Sequence, residues 1–210
     1  MKKVIACLMA LMFVVSSFSV DAANKSLEKA RKKELKTKLK EYKKGGWEIM
    51  GSRTLEFSLA NHYDRLNTLG EDAHEVEGVS TSTKSKNTGK QVAINNAAIT
   101  YAQEAGSTLQ GRVVADMAAN GVNPDGEFDN FYAAYERLVE KEIRGEMEPS
   151  YTIIRTNPDG TYEIRTYFII SESAAAKARQ RALEQALQDT EAAQKLGDKI
   201  SSFVKEGFDK

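Results

Sequence analysis

A single cysteine leaves the chain unable to close an intramolecular disulfide or build a multi-cysteine metal site. Two histidines are too few for a His-rich metal centre. After residue 15 no apolar run approaches the roughly 18–20 residues of a membrane-spanning helix. There is no Gly-rich dinucleotide loop, no phosphate-binding P-loop, no GxSxG elbow and no HExxH pair. Neither sign of charge is in excess, with 30 Lys and Arg against 30 Asp and Glu. What is present is ordinary for a globular protein: 210 residues, 41% apolar and 29% charged, enough for one domain with or without an arm.

The amino-terminal segment reads as an address. Lys2-Lys3 supplies a positive flank, and Val4 to Val15 forms an apolar run of signal-peptide length. Ser16 to Ala23 then turns small and polar, and cleavage after Ala22 or Ala23 is expected. Residues 1–23 are therefore expected to be a signal peptide. Val4-Ile5-Ala6-Cys7 has the look of a lipid-attachment box, but most of the hydrophobic run follows Cys7 and a signal peptidase needs it before the cut. Lipidation of Cys7 is not expected, and without Cys7 the exported chain has no thiol for covalent catalysis.

The zero net charge hides an asymmetry. Residues 24–45 form a basic arm, with ten Lys or Arg against Glu28, Glu34 and Glu41, whereas beyond Lys44 acidic residues outnumber basic ones by 26 to 18. The periodicity predicts a helix over 26–44, capped by Ser26 and ended by Gly45-Gly46, with Leu27, Ala30, Leu35, Leu39 and Tyr42 as its apolar stripe. Two readings compete. In one, Lys32, Lys33, Lys36 and Lys40 contact an anionic surface: lipid head groups, lipopolysaccharide or an acidic partner. In the other, favoured one, the arm is a solvated helix docked on the acidic body. Export argues against nucleic acid as a partner.

Residues 46–210 are expected to form a single α+β domain. Trp47–Met50 reads as a short strand, and Ser52 or Thr54 caps a helix to Leu69. Ala73–Thr83 alternates as a strand, and the polar run 80–88 is expected to project into solvent. Residues 89–119 carry the longest helical pattern, rich in alanine, with Gly106 and Gly111 as points of weakness. Pro124-Asp125-Gly126 marks a turn before a helix over Phe128–Arg144. Asn157-Pro158-Asp159-Gly160 joins strands 150–156 and 161–170 as a hairpin, because Pro presets φ at the second turn position and Gly takes the left-handed one. A last helix, capped by Ser171 or Ser173, runs from Ala174 to beyond Gln194, and an amphipathic tail follows Gly197. The sum is an α+β fold: a small, mainly antiparallel sheet of about four strands, with helices packed largely on one face, plus the basic amino-terminal helix.

Chemistry is sparse. His62 lies beside Asp64 on a helix, and Asp116, Glu136, Glu140 and Glu142 sit on helical faces. Solvated helices account for these better than a catalytic base or a carboxylate pair. Trp47, Tyr151, Arg155, Tyr162, Arg165 and Tyr167 are residue types that anchor interfaces and could bind a partner or a glycan, with ordinary cross-strand pairing as the simpler account. No catalytic, cofactor-binding or metal-binding residue is assigned.

The block Gly46-Trp47-Glu48-Ile49-Met50-Gly51, the Ser/Thr-rich strand after it, the Ala93–Ala102 helix, the hairpin and the closing helix together resemble the LPP20/FlgP-type envelope proteins of Gram-negative bacteria, over roughly residues 46–185. The style is also similar to small exported proteins of Bacteroides relatives. The resemblance implies a non-enzymatic cell-envelope protein with a structural or protein-interaction role, often part of an outer-membrane-associated assembly. It carries over no functional residue, and the placing of Cys7 departs from the lipid anchor usual in that family. The expected partner is an envelope protein or a second copy, with peripheral contact to an anionic membrane surface. The expected location is the periplasm or the outer membrane. The alternative is a periplasmic ligand- or glycan-binding module.

Overall fold

The computed structural model describes residues 25–120, 127–188, 194 and 197–208. The expected signal segment, the Pro124–Gly126 turn and the stretch that would carry the closing helix to Gln194 lie outside them, wholly or in part.

Helix α1 spans residues 25–44. Gly46, at φ +68°, ends it, letting Trp47 N–H donate back to Tyr42 O (3.0 Å) and Gly45 N–H to Glu41 O (2.8 Å). β1 (Glu48–Ile49) leads to α2 (Leu55–Leu69), whose first turn is capped by Thr54 Oγ1 accepting from Phe57 N–H at 3.2 Å. A short 3-10 turn enters β2 (Ala73–Thr83), and Ser85 caps α3 (Lys86–Ala119). α4 (Glu127–Ile143), the hairpin of β3 (Glu148–Thr156) and β4 (Tyr162–Ser171), α5 (Glu172–Gln188) and α6 (Gly197–Glu206) complete the chain.

The four strands form one antiparallel sheet in the order β1-β3-β4-β2. This is the α+β architecture expected from the alternation of elements. The heavier helical layer, α3 to α6, covers one face, where Val76, Phe168 and Ile170 join the alanines of α3 and the aromatics of α4 in the main core. The other face is covered as well. There α1 and α2 close over Tyr151, Ile153, Tyr167 and Ile169. Period-two alternation makes this possible, since the odd-numbered residues of β4 point one way and the even-numbered the other.

Small residues set the spacing of the heavier layer. Ala93, Ala97, Ala98, Ala102 and Ala105 of α3 are all buried, and α3 crosses β2 at Gly78. A Cβ at Gly78 would lie 1.8 Å from Ala93 O and 2.7 Å from Ala97 N, so only glycine admits this approach. Gly106 and Gly111 do not break α3, which runs unbroken for 34 residues. The polar run 80–88 faces solvent as expected, apart from Ser80 and the half-buried Thr83. It is divided between the end of β2, where Ser80 is buried, and the start of α3.

Candidate functional site

The lighter layer holds most of the residues singled out in the sequence. α1 sorts its cations by direction. Arg31 turns inward and donates to Leu66 O (2.5 Å) and Gly70 O (2.8 Å), occupying the carbonyls at the negative end of α2. Lys38 also turns inward, to Glu75 Oε1 at 2.9 Å, and sits over the Tyr167 ring. Leu35, Leu39 and the buried Tyr42 pack on the sheet. Lys32, Lys33, Lys36 and Lys40 are left on the outer face, exposed. The docked arm and the outward basic face thus coexist on one helix.

The aromatic and arginine set divides between the two faces of the sheet. Trp47, Tyr151, Arg155, Arg165 and Tyr167 share the α1–α2 face, whereas Tyr162 lies on the other, among Ile154, Ile164 and Ala93, with Lys86 over its ring. These residues do not form the solvent-facing interaction surface suggested by their types. Tyr151 and Tyr167 stack with centroids 4.5 Å apart beneath α1, and are 6% and 2% exposed. Trp47 is 9% exposed, with the guanidinium groups of Arg155 and Arg165 4.8 and 4.9 Å from its ring, so it presents no open stacking platform for a sugar. The physical reason is the α1–α2 layer itself, which buries the odd-numbered side of the hairpin.

Beneath it runs a continuous polar network. Glu163 is buried and accepts from both arginines: Arg155 Nε and Nη2 reach Oε2 at 2.9 and 2.6 Å, and Arg165 Nε and Nη2 reach Oε1 at 3.0 and 2.8 Å. Burial opposes ionisation of Glu163, but these hydrogen bonds outweigh it and hold the carboxyl below its usual range. Arg165 also reaches Glu77 (3.2 Å), which accepts from Tyr167 Oη (2.9 Å), and Tyr42 Oη donates to Tyr167 Oη at 2.8 Å. Burial pushes the phenols of Tyr151 and Tyr167 far up, so both remain neutral hydrogen-bonding groups.

His62 is not the partner of Asp64 that the sequence placed next to it. It is fully buried and lies between Glu75 of β2 and Ser150 of β3. Nε2 is 2.5 Å from Glu75 Oε2 and Nδ1 is 2.8 Å from Ser150 Oγ. Burial opposes ionisation of Glu75, but hydrogen bonds from His62 and Lys38 outweigh it and hold the carboxyl below its usual range. Neither Ser150 nor Glu75 stands out in the sequence, because they come from separate strands, 88 and 13 residues from His62. The other acidic candidates do not converge. Asp116 pairs with Lys199, Glu140 with Arg144 and Glu142 with Arg181, all on helix exteriors.

Among the described residues there is no cluster of three or more His, Cys, Asp or Glu placed to hold a metal ion, and no helix is long and apolar enough to cross a membrane. Comparison with protein-family models, with curated proteins and with solved structures finds no match to this chain.

Proposed function

We propose that the chain is an exported cell-envelope protein with a structural or protein-interaction role, held peripherally at an anionic surface by the outer lysines of α1. One observation carries the reading. α1 spends Arg31 and Lys38 on the body and directs Lys32, Lys33, Lys36 and Lys40 to solvent. A helix needed only to neutralise the acidic body would have no use for this outward row, and a row of like charge on one rigid helix suits a membrane surface or an acidic partner. The basic flank, apolar run and small-residue exit of residues 1–23 support export.

Co-sedimentation with vesicles tests this. The full chain should pellet with phosphatidylglycerol-rich vesicles and not with phosphatidylcholine vesicles. It should be released as salt rises, because exposed charges are screened beyond about 10 Å at 0.1 M. The fourfold charge reversal Lys32→Glu, Lys33→Glu, Lys36→Glu and Lys40→Glu should abolish pelleting while the fold is kept. Unchanged binding of that variant at low salt would overturn the reading.

A further inference from the structure

The bond at Ser150 is more than a satisfied contact. β3 pairs with β4 through a register shift between Pro149 and Tyr151, leaving Ser150 as the unpaired residue of a bulge. A bulge turns a side chain away from the direction that strict alternation would give it. Here Tyr151 packs in the core of the α1–α2 face, and its neighbour Ser150 reaches His62 of α2 on that same face. Glu75, ionised and held from its other side by Lys38, accepts from His62 Nε2–H. In the neutral imidazole that bond places the proton on Nε2 and turns the Nδ1 lone pair to the Ser150 hydroxyl. The Tyr63 and Tyr151 rings pack near-perpendicular to the imidazole, with centroids 5.3 and 5.1 Å from it.

Ser150 is half-buried. It borders a pocket of about 260 Å3 formed by Met50–Arg53, Ser58 and Thr152, with the first turn of α2 at its wall. The pocket is smaller than the roughly 300–1,000 Å3 of a drug-sized ligand site, which suits a short acyl group. Three features thus meet at one residue: a hydroxyl bonded to a base, a base oriented by a carboxylate, and a pocket that Ser150 helps to line.

We propose that Ser150, His62 and Glu75 form a serine-nucleophile site for hydrolysis of short-chain carboxylic esters. Ser150 Oγ attacks the ester carbonyl carbon while its proton passes to His62 Nδ1. The C–O bond to the alcohol then breaks, and the alcohol leaves with that proton. Water, deprotonated by the same nitrogen, attacks the acyl-serine, and the carboxylic acid departs as Ser150 regains its hydrogen. Glu75 is a positioning residue: it keeps the proton on Nε2 and stabilises the imidazolium formed at each step. The two ring nitrogens are used in the reverse of the serine-protease order, and the proton relay does not depend on which is which. The expectation of a non-enzymatic protein rested on the absence of linear motifs, and a site drawn from α2, β2 and β3 leaves none.

The test is labelling of the full chain with a fluorophosphonate probe, mapped by mass spectrometry, beside turnover of p-nitrophenyl acetate. The expected result is one phosphonyl adduct on Ser150, none on Ser52 at the same pocket, and hydrolysis with an initial burst. Ser150→Ala should lose both adduct and burst and keep its vesicle binding, which separates this site from the contact role proposed above. Glu75→Gln should keep the serine and slow labelling by about 100-fold, the scale of assisted proton transfer. Should Ser150→Ala fail to fold, Ser150→Cys in a Cys7→Ser background serves instead, alkylating with iodoacetamide at lower pH than Ser52→Cys. A folded wild-type chain with no adduct on Ser150, or labelling indifferent to Glu75→Gln, would overturn the proposal.

Discussion

The two faces of the sheet are held in different ways. On the α3–α6 face, contact is made by shape. Alanine ridges on α3 and α5 bring helix backbones close to the sheet and to one another, and dispersion and apolar burial act over a wide area. On the α1–α2 face the apolar cluster is smaller, and charged chains thread through it: Lys38–Glu75–His62–Ser150 on one side and Tyr42–Tyr167–Glu77–Arg165–Glu163–Arg155 on the other. A face sealed by shape tolerates almost no added volume. A face sealed by directed bonds tolerates volume better, but loses stability when one partner is removed. The same contrast places chemistry. Polar groups held in fixed directions beside a pocket can act on a ligand, and close-packed alanines cannot.

The largest expected effects fall on the face sealed by shape. Gly78→Val puts a branched side chain where a Cβ alone would meet Ala93 O at 1.8 Å, and should cost about 3 kcal/mol or more in urea denaturation. A near-neutral result would mean that α3 does not lie this close to β2. The one buried guanidinium on that face among the described residues is the exception that sharpens the comparison. Arg179, 1% exposed, donates to Tyr101 Oη at 2.6 Å and pairs with Glu172. Arg179→Ala removes the donor to Tyr101 Oη and one of the two cationic partners of Glu172, and should cost on the order of 3 kcal/mol.

Acid should act through the same carboxylate. Burial opposes ionisation of Glu172, but hydrogen bonds from His74 and Arg179 bring its pKa down from the ordinary 4.5 to about 2. A depressed pKa means that the folded state binds fewer protons than the unfolded one. The stabilisation is therefore complete above about pH 4.5 and is lost as pH falls toward 2. Unfolding free energy measured from pH 6 to 2 should fall across that window, and Glu172→Gln should flatten the fall. Glu163 and Glu75 are shifted in the same direction on the other face, so a residual slope should remain in the variant.

Smaller effects are expected on the face held by directed bonds. Tyr42→Phe removes one donor to Tyr167 without creating a cavity, and should cost about 1 kcal/mol. Gly46→Ala forces a side chain into φ +68° at the end of α1 and should also cost about 1 kcal/mol, a loss confined to the docking of that helix. If Gly46→Ala instead lowered stability as much as Gly78→Val, the two layers would be one cooperative unit rather than two faces held in different ways.

Local rules explain why much of the fold could be read in advance. The hairpin was legible because Pro158 and Gly160 have fixed conformational roles, and Gly160 indeed takes φ +80°. α2 and β2 end at or near the residues that capping and alternation mark. The length of α3 was less legible, since Gly106 and Gly111 weaken a helix locally and packing against the sheet and α4 overrides that weakness. The candidate residues fared unevenly for the same reason. Tyr and Arg types on alternating positions announce a face, but not what covers it. His62 was visible only as a histidine beside an aspartate, while its actual partners lie on two strands that the sheet brings to it.

By itself the sequence determined the order and kind of the elements, the turn that makes the hairpin, the alanine ridges and the basic character of the first helix. These follow from periodicity, φ preferences and charge, which act over a few residues. Only the tertiary structure decided that both faces of the sheet are covered, that α1 divides its cations between body and solvent, that Trp47 and the hairpin tyrosines are interior, and that Ser150, His62 and Glu75 meet. Those depend on strand register and on which helix packs against which face, and such long-range choices are made by the summed burial of the whole chain, which no single stretch of it encodes.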